Sequence, residues 1–147
     1  MQHHEMSDLT SPKQRLIPFL SFQGCAEEAM NFYASILPNA KIETLIRFEQ
    51  GEDGDEGKVL FGELSFSNQR LMFLDIKSGL ECPRFSWATS FYFECRDECE
   101  FDAVFNGLSQ GGIVMSGPDT LLHFHKVAWI TDKFGVAWQP VLKSPQS

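Results

Sequence analysis

The chain has no CxxC pair, no glycine-rich turn following a strand pattern, no apolar run near membrane-span length and no surplus of positive charge. Each absence closes a class of function. Twelve Lys and Arg stand against 20 Asp and Glu, a net charge of −8, which opposes nucleic acid and anionic lipid surfaces as partners. A membrane-crossing helix needs about 20 apolar residues, and nothing here approaches that. Residues 16–22 are too short and mixed for a secretory core. Cys25, Cys82, Cys95 and Cys99 lack metal or redox spacing and fall within apparent regular elements. They read as reduced thiols of a cytoplasmic protein. Gly111-Gly112 follows a helix pattern, so there is no backbone cradle for a nucleotide or phosphate.

What is present is a folding chain. Its 147 residues are 43% hydrophobic and include 14 Phe, enough for one domain burying roughly 70% of its unfolded surface. Residues 1–14 are polar and patternless and read as a mobile tail, in which the pair His3-His4 makes a poor metal site. Residues 16–22 then read as a strand. A helix follows, with Ala26, Ala29, Met30, Tyr33 and Leu37 on one face, Glu27 and Glu28 at its positive end and Pro38 closing it. Residues 41–49 read as a strand with Ile42, Thr44, Ile46 and Phe48 on one side. An acidic loop over 51–57 reads as a solvated hairpin loop, since it lacks the EF-hand ligand pattern. Residues 58–67 and 70–76 form a hairpin across Asn68-Gln69.

The order then restarts. Residues 89–95 read as a strand, and Asp97 opens a helix whose apolar face carries Phe101, Val104, Phe105 and Leu108. Strands over 113–116, 123–131 and 136–142 follow, the last two joined by a turn at Asp132–Gly135. A shift of about 71 positions sets Leu20 on Phe91, Phe22 on Phe93, Leu37 on Leu108 and Ile42 on Ile113. The expected fold is therefore α+β, two tandem βαβββ modules over 15–78 and 89–143, with a connector over 79–88 and a tail over 144–147.

Five segments carry a family resemblance: Ile17–Phe22 (IPFLSF), Ala26–Tyr33 (AEEAMNFY), Leu71–Asp75 (LMFLD), Thr89–Cys95 (TSFYFEC) and Trp129–Gln139 (WITDKFGVAWQ). The chain resembles the vicinal oxygen chelate superfamily of glyoxalases, extradiol dioxygenases and bleomycin- or fosfomycin-resistance proteins. Within it, the chain is similar to the PhnB-like group, also labelled 3-demethylubiquinone 3-methyltransferase-like. The resemblance implies cup-shaped mixed sheets with the helices outside, a homodimer, and a small molecule bound in the cup. Metal-dependent members take one ligand from each of four cup-facing strand positions. Here those positions fall on Pro18, Ser90 and Gln139, and on or beside Leu74-Asp75. The resemblance therefore implies that the usual metal centre is missing and that no cofactor is needed. The methyltransferase label is not matched by a glycine-rich cofactor turn, so that activity is not expected.

Strand alternation sends Phe91, Phe93 and Cys95 beneath the second helix and Ser90, Tyr92 and Glu94 to the cup. The same phase argument assigns Pro18, Leu20 and Phe22 to the cup in the first module. Leu20, Phe22, Ser90, Tyr92, Glu94, His125 and Gln139 are accordingly the candidate ligand-binding residues. Glu94, Tyr92 and Asp75 are the candidate acid–base groups, with Glu63 on a facing strand. A divalent metal, if held at all, would use Asp75, His123, His125 and Gln139, the two histidines projecting to one face of a strand. Cys25 is a candidate nucleophile by its place at a helix start. Trp87 and Trp129 are candidate stacking walls, whereas Trp138, alternating with Gln139, belongs in the core. The functional expectation is a metal-free small-molecule-binding protein, against an enzyme of lyase, isomerase or dioxygenase type with a non-standard site.

Overall fold

The computed structural model describes residues 14–145, so the expected tail over 1–13, with His3 and His4, lies outside the described residues. The chain divides into two compact units, one of residues 14–34 with 39–80 and one of residues 35–38 with 81–145. Gln14, assigned from sequence to the tail, is anchored. It exchanges hydrogen bonds with the Arg70 backbone, at 2.6 Å from Arg70 N–H and 3.4 Å to Arg70 carbonyl.

The first unit holds β1 (Phe19–Phe22), all but the last two residues of α1 (Ala26–Ile36), β2 (Lys41–Arg47), β3 (Val59–Phe66) and β4 (Gln69–Asp75). The second runs β5 (Ser90–Glu94), α2 (Glu98–Ser109), β6 (Ile113–Leu121), β7 (Phe124–Thr131) and β8 (Ala137–Lys143). Each builds a four-stranded mixed sheet, ordered β1-β4-β3-β2 and β5-β8-β7-β6. In each sheet the first strand lies parallel to the last, and the other pairs are antiparallel. The duplicated pattern of the sequence is thus a duplicated topology.

In the first unit the apolar face of α1 drives the packing. Ala26, Ala29, Met30 and Tyr33 recur at helical spacing and are all fully buried. Tyr33 meets Phe73 at 6.1 Å between ring centroids, and Phe22 stacks on Phe73 at 5.9 Å. Gly62 lies beneath Met30, where a Cβ would stand 2.5 Å from the thioether sulfur. The β3–β4 hairpin turns at Ser67 and Asn68, both with positive φ (46° and 63°). That is the signature of a type I′ turn, whose twist matches the strands it joins.

Two alternation readings are corrected here. Leu20 and Phe22 pair with Phe73 and Asp75 and lie in the core beneath α1, while Phe19 and Ser21 take the open face. A one-residue phase error moves every side chain of a strand to the other face. In β2, a bulge at Glu43 sets Ile42 opposite Leu64 but Thr44 opposite Glu63, so Ile42 does not share a face with Thr44 and Ile46.

In the second unit, Asp97 caps α2 by accepting from Glu100 N–H at 2.8 Å. Phe101, Val104 and Leu108 are buried on the sheet side with Ile130 and Trp138. Phe91 meets Trp138 edge-on at 5.1 Å. The strand expected over 113–116 continues to Leu121, passing the cis Gly117-Pro118 bond with several register shifts. As the sheet edge, β6 is exposed along nearly its whole length.

Candidate functional site

Two buried carboxylates come first, because burial usually marks either chemistry or architecture. Asp75 is 3% exposed. Its Oδ1 accepts from Gly24 N–H at 2.9 Å and Ala26 N–H at 3.0 Å, and its Oδ2 from Val59 N–H at 2.9 Å. It therefore caps the start of α1 from a strand about fifty residues away and ties β3 to the same point. Asp132, also 3% exposed, does the equivalent work at the β7–β8 turn. It accepts from Phe134 N–H and Val136 N–H through Oδ1 and from Trp138 Nε1 through Oδ2, all within 3.1 Å. Charged acceptors of buried N–H groups contribute strongly to stability. Asp75 faces the helix, not the open face, and its oxygens are committed. The structure thus places this candidate acid–base group and metal ligand in the scaffold.

The open face of the second sheet is different. Tyr92 on β5 pairs with Gln139 on β8. The Ile130↔Trp138 and Val127↔Val141 pairs set Trp129 on β7 beside Gln139, and Ser116 on β6 lies opposite Trp129. The flanking residues Ala128, Ile130, Trp138 and Pro140 are buried on the α2 side, so alternation turns Tyr92, Gln139 and Trp129 outward as one row. Gln139 Nε2 donates to Ser90 Oγ at 2.8 Å. Trp87, from the segment before β5, stands edge-on to Trp129 with centroids 6.2 Å apart. Among the described residues, Trp129 Nε1 is a buried donor without a partner. Such a group costs about 1–3 kcal/mol when left unpaired.

At the end of this row, Tyr92 donates to Glu94 at 3.1 Å and Lys143 Nζ lies 3.0 Å from the same carboxylate oxygen. The lysine bond, then the tyrosine bond, hold the Glu94 carboxyl below the ordinary glutamate value. Partial burial and the bond to Glu94 push the Tyr92 hydroxyl up, and Glu94 likewise raises Lys143. A carboxylate kept ionised beside a phenol and an ammonium kept protonated is an arrangement for orientation more than for proton exchange. Glu63, on the open face of the first sheet, is paired with Arg70 at 3.1 Å.

The histidines do not form a pair. His125 is the extra residue of a bulge between Phe124 and Lys126, and His123 precedes β7. The bulge breaks the alternation that would have aligned them. His123 lies against the Phe124 ring at 4.5 Å, and His125 Nε2 is 4.0 Å from Glu98 Oε1. Among the described residues no three His, Cys, Asp or Glu side chains gather as a metal site. Taken with the committed oxygens of Asp75 and the Ser90–Gln139 bond, the donor set does not fit the metal centre that the fold family uses.

Burial, then Asp75 and Glu28, push the Cys25 thiol up, the reverse of activation. A polar cleft of about 320 Å³ beside it is lined by Glu27, Glu28, Asn31 and Lys58. Lys58 Nζ is bonded there to Gly24 carbonyl at 3.0 Å. Three features escaped sequence reasoning: the anchoring role of Asp132, the Lys143 contact and the unpartnered Trp129 donor. The first had a local signal, since an Asp two residues before a turn glycine-containing pair is a common turn acceptor. The other two depend on register and had none.

The model of the 3-demethylubiquinone-9 3-methyltransferase family matches residues 14–141. A Bacillus cereus PhnB protein is 35% identical over 88% of this chain and 99% of its own, with a TM-score of 0.78. Pseudomonas aeruginosa protein PA1353 is 24% identical over 92% of this chain and 100% of its own, with a TM-score of 0.81. A glyoxylase/bleomycin resistance protein/dioxygenase domain from Frankia sp. EAN1pec shares the fold at 14% identity, over 90% of this chain and 99% of its own, with a TM-score of 0.62. No curated protein matches the chain in sequence.

Proposed function

The chain belongs to the 3-demethylubiquinone-9 3-methyltransferase-like, or PhnB-like, family with the glyoxalase/bleomycin resistance fold, and on that premise we propose that it binds a small molecule without metal, on the open face of its second sheet. The observation that carries this reading is the row Tyr92–Gln139–Trp129. It combines two aromatic surfaces, an amide held in place by Ser90 and a donor left unpaired. Ligand sites are mostly apolar surfaces with a few placed polar groups, and this face has that make-up. Of the positions that would supply metal ligands, Pro18 has no donor side chain, Asp75 is bonded to the backbone and Ser90 is bonded to the Gln139 amide.

Neither a glycine-rich turn nor a doubly wound parallel sheet is present among the described residues, so nothing here supports methyl transfer from a nucleoside cofactor. The four cysteines are all free thiols, which supports residence in a reducing, cytoplasmic compartment. Among the described residues no helix is long and apolar enough to cross a membrane. The exposed edge strand β6, with Ile113 66% and nearby Leu122 83% exposed, supports a homodimer that covers it. Light scattering on the purified chain tests that point, and a monomer at tens of micromolar would end it.

The test of the binding reading has two arms. Chelator-treated protein is melted with Zn²⁺, Ni²⁺, Mn²⁺ and Fe²⁺, and no rise in Tm is the expected result. A library of planar small molecules is then titrated while tryptophan emission is followed. Saturable quenching that Gln139→Ala abolishes supports the reading. A metal-dependent rise in Tm, or binding indifferent to Gln139, overturns it.

A further inference from the structure

The unpartnered indole N–H selects among ligands. Trp129 Nε1 is buried and finds no acceptor among the described residues. Buried donors are paired in nearly all native structures, so an exception calls for a partner that arrives later. The neighbouring groups narrow what that partner carries. Gln139 uses its Nε2 to hold Ser90 Oγ at 2.8 Å, which leaves its carbonyl oxygen available as an acceptor. The aromatic rings of Trp87 and Tyr92 flank the same stretch, and both are exposed, at 66% and 50%. Among the described residues, the charged groups bonded to the row's edge are Glu94 and Lys143, which neutralise each other at 3.0 Å. The chain as a whole carries −8.

Resting on the binding function proposed above, we infer that the ligand is a neutral, planar aromatic molecule with a ring carbonyl next to an N–H, a lactam edge. Its carbonyl accepts from Trp129 Nε1 and its N–H donates to Gln139 Oε1. Trp129 and Gln139 are neighbours across β7 and β8 in the register set by Ile130↔Trp138 and Val127↔Val141, with Cα atoms about 5 Å apart, so one edge of a ligand can meet both side chains. An anion is disfavoured by the acidic chain, and a cation finds no unpaired carboxylate at the row. Trp87, packed edge-on against Trp129 and exposed on the segment leading to β5, offers the aromatic face beside the donor.

The experiment uses 2-quinolinone, which has the lactam edge, and indole, a somewhat smaller planar bicycle with an N–H but no acceptor. Both are titrated into ¹⁵N-labelled full-length protein and into Trp129→Phe. The chain has three tryptophans, so the side-chain region shows three indole N–H signals, and the variant assigns the one from Trp129. The expected result is 2-quinolinone binding roughly tenfold tighter than indole, the worth of one net hydrogen bond. The Trp129 signal moves downfield with 2-quinolinone alone, and the tenfold preference is lost in Trp129→Phe. The wild-type shift stands without the variant, should Phe disturb the fold. If both probes bind equally and the Trp129 signal stays put, the lactam inference falls while the binding function survives. If neither probe perturbs any signal of β5, β7 or β8, the lactam inference falls, and the library titration decides the binding function separately.

Discussion

Replacing Asp75 with Ala separates architecture from chemistry. The carboxylate is buried and accepts three backbone N–H bonds, at 2.9, 3.0 and 2.9 Å. A hydrogen bond to a charged group is worth about 1.5–3 kcal/mol, and the sum of three is an upper bound because contributions are not additive. Gly24 is only part-buried, and water entering the space left behind restores some of the loss. A net cost of about 3–5 kcal/mol follows, in the range for removing one partner of a buried charged cluster. For a chain of this size each kcal/mol shifts Tm by about 3 °C, so Asp75→Ala melts roughly 10–15 °C below wild type. Asp75→Asn keeps one acceptor oxygen but turns an amide N–H toward Val59 N–H, and about 2 kcal/mol is lost. Calorimetry and urea unfolding, with an unchanged m-value, check both figures. Were Asp75 instead a functional carboxylate, its removal would leave stability unchanged or improved. Both variants melting within about 2 °C of wild type would refute the anchoring role.

Three further outcomes follow from the same reasoning. Gly62→Ala places a Cβ 2.5 Å from Met30 Sδ and 2.7 Å from its methyl, so overpacking lowers stability by about 1–2 kcal/mol in urea titration; an unchanged midpoint would show that α1 can shift freely. Lys143→Met removes the strongest cause of the lowered Glu94 pKa. The Glu94 carboxyl, followed by ¹³C NMR, then titrates closer to the ordinary 4.5. The depressed value means that the pair's stabilisation is present at neutral pH and lost as pH falls through the folded pKa, below 4.5, and Lys143→Met reduces that acid-side loss to what the Tyr92 bond sustains. Iodoacetamide at neutral pH labels exposed Cys99 first and Cys25 slowly, because burial raises the Cys25 thiol. Cys95 reacts last, its pKa pushed to about 12. Mass spectrometry of the digest reads the order, and fast Cys25 labelling would contradict its environment.

The duplicated order of elements, both helix faces and the placement of Trp138 in the core were legible in the sequence. Each rests on local periodicity, which sterics and burial enforce within a single element. The open-face set Ser90, Tyr92 and Gln139 was legible for the same reason, since β5 and the start of β8 run without a bulge. Where alternation fails, so does the reading. Bulges at Glu43 and His125 reset the phase of β2 and β7, and nothing in those residue types announces an extra unpaired residue. The phase of β1 was decided by its pairing with β4, which puts Phe22 beside Asp75 under α1. Asp75 itself read as chemistry because the sequence shows a carboxylate in an apolar strand and not the three N–H groups converging on it from 24, 26 and 59. The Trp129 donor is likewise a tertiary fact. The order of residues determined that this chain folds into two like modules, and its composition that it carries a net charge of −8, because periodicity and charge add up residue by residue. Which polar groups end satisfied and which remain free was decided only by strand register, because a hydrogen bond needs two partners brought together in space.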